Sequence, residues 1–265
     1  MSVPSTAVVF IHGLWLPATS WQPWMDLFAE SGYQSTAPLW PGEAETIAET
    51  RIHPERQAGK GLAEIINHFA AELSKFDTKP IVVGHSVGGL IAQALLGRNL
   101  AAAAIAIDPA QIKGVLALPL AQLKSAFPAL GNPRNRGRAI TLTQSQFRYA
   151  FGNAISEHES NELHDKWMIP SPVRPLFEAA VANFNPSSPA KVNTGNATRG
   201  PLLLMSGTKD HTVPDVVTRA TYKQYRKSSA VTELQQFDRG HSLTVDSGWR
   251  ELAHAGVAWL QGKAL

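Results

Sequence analysis

The stretch Gly84-His85-Ser86-Val87-Gly88-Gly89 follows a β-branched apolar run, Ile81-Val82-Val83, and leads into an apolar helical pattern over residues 90–100. It has the G-x-S-x-G spacing of a serine held on a strand-to-helix turn. A serine that must stand above the end of a sheet needs a very tight turn with a strained backbone. Side chains two positions to either side would collide there, and Gly84 and Gly88 carry none. The helix beginning behind Ser86 also directs its positive dipole end at the hydroxyl. Glycine-rich strand–helix turns match this pattern by chance; the strand before this one and the helix after it set it apart.

Outward from this turn, short apolar runs alternate with amphipathic helical patterns, which predicts a mostly parallel sheet flanked by helices. Residues 7–11, 33–40, 81–83, 102–107, 201–206 and 231–237 read as strands. Helices are predicted over 21–28, with Ser20 or Thr19 as cap and Gly32 as stop, and over 61–76, 90–100, 174–184, 215–226 and 249–260. Pro175 falls in the first turn of the 174–184 helix, a core element. From 110 to 172 the rhythm breaks, with prolines at 119, 128, 133, 170 and 172 and a short helical stretch at 145–154. That is too long for a loop and reads as an inserted helical cap. The expected fold is therefore α/β, with about six strands, a core from 1–109 and 173–265, and a cap from 110–172.

A serine hydroxyl is a weak nucleophile until an imidazole takes its proton, and the imidazole needs a carboxylate to fix its tautomer. On a strand–turn–helix serine the partners should follow in the order Ser, Asp, His, each just beyond a strand. Asp210 follows the 201–206 strand through Gly207-Thr208-Lys209, and His241 follows the 231–237 strand in Asp238-Arg239-Gly240-His241. Of nine histidines, His53, His68, His158, His164 and His254 fall on helices or polar loops and read as surface residues. His211 precedes the last strand, and His85 sits inside the turn, where packing is its ordinary role. Asp108 also ends a strand, directly after the helix behind Ser86, and is a rival to Asp210. Asp238 is too near His241 in sequence to brace its far ring nitrogen.

The oxyanion that forms during attack needs two preorganised donors. The backbone N–H of Val87 is one. The loop after the first strand, His12-Gly13-Leu14-Trp15, offers the N–H of Leu14 as the other. Trp15, His85, Phe147 and Trp167 are the candidate pocket residues; Phe127, Tyr149, Phe151 and Met168 add further apolar surface in the cap segment.

Taken together, the His-Gly turn, the serine turn, Asp210 and His241 resemble the α/β-hydrolase superfamily, from residue 7 to 107 and from 174 to the C-terminus. The resemblance implies a mostly parallel sheet, no cofactor, and ester or amide-like chemistry through an acyl-enzyme. It places the family's usual first two strands upstream of Ala7, so the sheet is expected to be trimmed to six.

Composition narrows the partners. Hydrophobic residues make up 44% and charged ones 17%, which favours a packed globule over disorder. The net charge of +3 is too small for a nucleic-acid face, and the densest basic cluster, Arg134, Arg136 and Arg138, sits among loop residues. Cysteine is absent, so disulfides and thiolate chemistry are excluded. No run approaches the roughly 18 apolar residues of a membrane span, and a cytoplasmic protein is the expectation. The acid- and histidine-rich stretch from Glu157 to Asp165 lacks H-E-x-x-H spacing, so no metal is expected. A small apolar ester is the expected substrate. Lactonase, carbon–carbon bond hydrolase, cofactor-free haloperoxidase-like and hydroxynitrile lyase chemistries share this scaffold. Epoxide hydrolases and haloalkane dehalogenases do not fit, because they need a carboxylate where Ser86 stands. A non-catalytic ligand receptor is the competing class.

Overall fold

Strand and helix formation follow the two periodicities in the chain. The computed structural model describes residues 6–265, so the first five residues of the expected core lie outside it. The chain runs β1 (Ala7–Ile11), α1 (Gln22–Glu30), β2 (Gln34–Thr36), α2 (Ile47–Ile52), α3 (Leu62–Leu73), β3 (Ile81–His85), α4 (Val87–Gly97) and β4 (Ala103–Ile107). An excursion follows, with α5 (Leu120–Leu130), β5 (Ala139–Ile140), α6 (Gln144–Ala150), α7 (Glu157–Trp167), β6 (Ser171–Pro172) and α8 (Arg174–Ala180). The chain then returns through β7 (Leu202–Gly207), α9 (Asp215–Gln224), β8 (Thr232–Phe237) and α10 (Trp249–Gly262).

The main sheet has six strands in the order β2-β1-β3-β4-β7-β8, every pair parallel. Its central strands are buried along their whole length, as continuous apolar runs must be when helices cover both faces. Alternate residues of β1 divide between the two layers. Val9 and Ile11 join a core with Leu62, Ile65 and Phe69 of α3, while Val8 and Phe10 join another with Trp24 and Phe28 of α1 and Leu252 and Leu260 of α10. Every residue of α4 is buried, so the helix behind Ser86 is a fixed part of the core. β2 is added on one side of β1 and β3 on the other, so the strand order reverses between β1 and β3, and the crevice beyond the carboxyl ends of such a pair is where open parallel sheets bind ligands.

Several boundaries differ from expectation. α1 is preceded by a 3-10 turn at Ala18–Trp21, and neither Ser20 nor Thr19 caps it. The Ser20 hydroxyl donates to Pro17 O instead, within the turn. The expected 33–40 strand shortens to Gln34–Thr36, because this edge of the sheet pairs only with β1. β8 is a half-buried edge strand without clean alternation. In the excursion, α5 persists through Pro128, and α7 buries only Ser160 and Leu163, too few for a helical stripe to register in sequence. α6 ends at Ala150 rather than 154. The 174–184 helix stops at Ala180, and only a 3-10 turn at Ala182–Phe184 continues it.

Candidate active site

Ser86 occupies the turn between β3 and α4 at φ 56° and ψ −119°. Such a conformation costs a non-glycine residue on the order of 1–3 kcal/mol and persists only where neighbours impose it. Here Ser86 N–H donates to Ile107 O at 2.9 Å, and Ser86 O accepts from Gly89, Leu90 and Ala110. A Cβ on Gly84 would overlap Gly88 O, and one on Gly88 would overlap Ile11 O. The turn is thus folded against itself and against β1.

His241 follows β8 and is fully buried. Its ring is clamped between His85, with centroids 4.5 Å apart, and the edge of Phe151, at 4.7 Å. Nδ1 lies 2.5 Å from Asp210 Oδ2, and Nε2 is buried with no hydrogen-bond partner among the described residues. With the Nδ1 proton donated to Asp210, Nε2 carries a free lone pair. Asp210 is oriented in turn by the N–H groups of Thr212, at 2.6 Å, and Val213, at 2.9 Å, both on its Oδ1. Burial alone would raise the Asp210 pKa, but His241 and the hydrogen bonds around it outweigh that and hold it below the ordinary carboxylate range.

Asp108, at the end of β4, reaches the same place. It is fully buried, sits at φ 39°, and its Oδ2 lies 3.9 Å from His241 Nδ1. Its Oδ1 accepts from Gly207 N–H at 2.6 Å. Burial, then the negative charge of Asp210, push the Asp108 pKa well above normal. Burial also drives His85 well below the usual imidazole value, aided by the charge of His241. His85, Asp108 and His241 bring ligand-type atoms within 4.8 Å of one another. The set suits a metal ion poorly, since His241 Nδ1 is already paired to Asp210 and Asp108 Oδ1 to the Gly207 N–H. Asp238 points away and pairs with Lys209 at 2.7 Å.

The loop after β1 lies against the serine. A Cβ on Gly13 would stand 2.7 Å from Ser86 Cβ and 3.4 Å from Ser86 Oγ. Trp15 takes a left-handed φ of 69°, held by its N–H to Ser171 Oγ at 2.7 Å, its carbonyl to Ile169 N–H at 3.1 Å, and its indole N–H to Ile140 O at 3.1 Å. His12 is fixed between Gly13 O, at 2.7 Å, and Glu43 Oε2, at 2.8 Å. Glu43 also accepts from the N–H groups of Trp40 and Ala18, each at 2.9 Å. Burial would raise the Glu43 pKa, but His12 and these amides bring it below normal. Among the described residues, the N–H groups of Leu14 and Val87 donate to nothing outside regular helix and strand pairing.

The sequence model of the alpha/beta hydrolase family matches residues 8–255. The chain belongs to the alpha/beta hydrolase family. It is an enzyme of the hydrolase class, and its six-stranded parallel sheet flanked by helices has that fold. Solved structures of similar fold include a monoacylglycerol lipase from Paleococcus ferrophilus, at 19% identity and a TM-score of 0.67, covering 96% of this chain and 93% of that one. An extracellular alpha/beta-hydrolase from a Paenibacillus species has 19% identity and a TM-score of 0.68, with 96% and 98% covered. A pyrethroid hydrolase from Sphingobium faniae has 16% identity and a TM-score of 0.66, with 98% and 99% covered. No curated protein matches the chain by sequence.

In this alpha/beta hydrolase a cavity of about 200 Å³ opens beside Ser86, walled by Leu14, Trp15, Val87, Leu123, Leu176 and Val213. Gln111, Gln122, Ser125 and Thr212 are its polar residues. Leu118 and Leu123 pass from the cavity wall to the surface, where Leu116, Leu120 and Phe127 are also exposed. Of the expected pocket residues, only Trp15 lines this cavity. His85 lies behind the serine turn against His241. Phe147 is fully buried and stacked on Phe151 at 5.0 Å, where it supports the His241 clamp. Trp167 is half-buried at the end of α7 with Lys166 over its ring. Helical apolar residues in the excursion serve its own packing first. His164, expected at the surface, is tucked in and bonded to Leu142 O at 2.9 Å. Sequence reasoning missed Glu43, which nothing but its place after Pro41-Gly42 distinguishes. Among the described residues no helix is long and apolar enough to cross a membrane.

Proposed function

We propose that the protein hydrolyses carboxylic esters through an acyl-enzyme on Ser86, with His241 as general base and Asp210 as the acid that orients it. The reading rests chiefly on one observation: His241 Nδ1 is bonded to Asp210 at 2.5 Å while Nε2 stays free. In the first step Nε2 takes the Ser86 proton as Oγ bonds to the ester carbonyl carbon. The carbonyl oxygen gains negative charge and is met by the N–H groups of Leu14 and Val87. When the tetrahedral species collapses, the carbon–oxygen bond to the alcohol breaks and Nε2 returns its proton to the leaving alkoxide. Water then repeats the sequence, His241 taking its proton, and releases the acid and free Ser86. His241 Nε2 and Ser86 Oγ share no hydrogen bond in the unliganded geometry, and such bonds commonly tighten only with substrate in place.

The substrate class is a small ester with one apolar arm. A volume of about 200 Å³ is below the roughly 300–1,000 Å³ of sites that enclose a drug-sized ligand, so it suits one arm and not the whole molecule. Residues 110–172 act as the cap over a core formed by the described residues up to 109 and from 173 onward, with α8 at the seam between α3 and α5 and Trp15 as the strut that ties cap to core. Hydrolysis of p-nitrophenyl esters and of lactones by wild type and by Ser86→Ala tests the proposal. Wild-type turnover of esters that vanishes in Ser86→Ala supports it; equal rates in the two proteins would refute it.

A further inference from the structure

We infer that Asp108 is a carboxylic acid that donates its proton in a hydrogen bond to the Asp210 carboxylate, making it a positioning residue for the Asp210–His241 pair. The geometry allows little else. Asp108 Oδ1 is occupied by the Gly207 N–H at 2.6 Å, so it acts as an acceptor. Asp108 Oδ2 is buried and has no N–H or protein hydroxyl donor to neutralise a charge. It converges with Asp210 Oδ2 on a single nitrogen, His241 Nδ1, at 3.9 and 2.5 Å respectively. Two buried carboxyl groups brought together on one nitrogen avoid a like-charge clash by sharing a hydrogen bond, and one of them must then carry the proton.

The proton falls on Asp108 because the neighbours divide unequally. Asp210 takes two backbone N–H groups on Oδ1 and the His241 ring on Oδ2. Asp108 takes one N–H and lies 3.9 Å from the same ring. The other titratable groups near Asp108 are His85, which burial keeps neutral, and Asp215 at the start of α9, whose negative charge further favours the protonated form. Gly207 is part of the same construction: a Cβ there would stand 3.0 Å from Asp108 Oδ2 and 2.7 Å from Arg239 O. With Thr212 and Val213 on one oxygen and Asp108 and His241 sharing the rest, Asp210 has no freedom to rotate away from the imidazole.

This role rests on the Ser86–His241–Asp210 reading, but its spectroscopic test does not. Asparagine reproduces a protonated aspartate at this site, its Oδ1 accepting from Gly207 and its Nδ2 donating to Asp210; leucine fills the space and donates nothing. Asp108→Leu should lower kcat by roughly ten- to a hundredfold through loss of alignment, with KM little changed. Asp108→Asn should recover most of that loss. Infrared spectra at neutral pH should contain a buried carboxylic-acid C=O band in wild type that disappears in Asp108→Asn. Absence of the band from wild type, or its persistence in Asp108→Asn, overturns the inference even if Asp108→Leu fails to fold. Asp108→Asn as impaired as Asp108→Leu overturns it as well. Full activity in Ser86→Ala would instead remove the underlying reading while leaving the infrared result standing.

Discussion

Asp108 Oδ2 stands 3.9 Å from His241 Nδ1, on the nitrogen that Asp210 already holds at 2.5 Å. Two strands, β4 and β7, thus deliver a carboxyl group each to one imidazole. Asp210 is the nearer, and its second oxygen is anchored by two backbone amides. The two aspartates are therefore not interchangeable. Asp210→Asn should lower kcat/KM by on the order of 10³–10⁴-fold, as expected when an amide forces the wrong imidazole tautomer. Asp108→Asn should cost less than tenfold. Steady-state kinetics on both variants check the ranking, and the reverse order would transfer the orienting role to Asp108.

The same pair makes stability depend on pH. Unfolded, Asp108 has the ordinary carboxylate value of 3.8 and is ionised at neutral pH; folded, its pKa is raised well above that. Folding therefore takes up a proton, and the stability this group contributes falls as pH rises from about 4 toward its folded pKa. Asparagine has no proton to lose. The Tm difference between Asp108→Asn and wild type should grow in favour of the variant from pH 5 to pH 9. A difference independent of pH would mean that Asp108 is ionised in the folded protein.

Glu43 ties the loop after β1 to the core through His12 and the amides of Trp40 and Ala18. Without Glu43 the His12 ring and the N–H groups of Trp40 and Ala18 are left buried and unpaired, at roughly 1–3 kcal/mol for an unsatisfied group. Glu43→Ala should shift the urea midpoint accordingly with an unchanged m-value. It should also lower kcat, because the Leu14 N–H loses its fixed position. A variant as stable as wild type would show that Glu43 is not the anchor.

On the proposed reading the cavity beside Ser86 holds the acyl arm, which makes chain length the quantity to test. Ala126 of α5 lines it without touching Ser86, Asp210 or His241 in any hydrogen bond. Ala126→Phe should raise KM for hexanoate and longer esters by at least about tenfold, in line with the 1–3 kcal/mol of a misfitted apolar group, and leave acetate esters nearly unaffected. A uniform change across chain lengths would place the acyl arm elsewhere.

Local chemistry explains what the sequence made legible. The glycines at 84 and 88 report a backbone collision, and collisions are local, so the serine turn could be read from six letters. Ser86 and Asp210 each follow a buried apolar run, β3 and β7, and such runs mark the centre of the sheet, whereas His241 follows the half-buried edge strand β8. Side-chain neighbours across the sheet were not legible in the same way. Asp108 and Asp210 meet only because β4 pairs with β7, a long-range fact with no local signature. Glu43 acts through His12, 31 residues away. Phe147 and Trp167 failed as pocket residues because an aromatic at helical spacing packs its own helix, and no pattern distinguishes that from a wall. α7 went unread because only Ser160 and Leu163 turn inward, so its apolar period is missing.

Covalent labelling tests the central claim most directly. A fluorophosphonate should add one phosphonyl group to wild type, located by peptide mass spectrometry on Ser86, and none to Ser86→Ala. Labelling of Ser86→Ala at the wild-type rate, or wild type left unlabelled while it hydrolyses esters, would contradict an acyl-enzyme on Ser86.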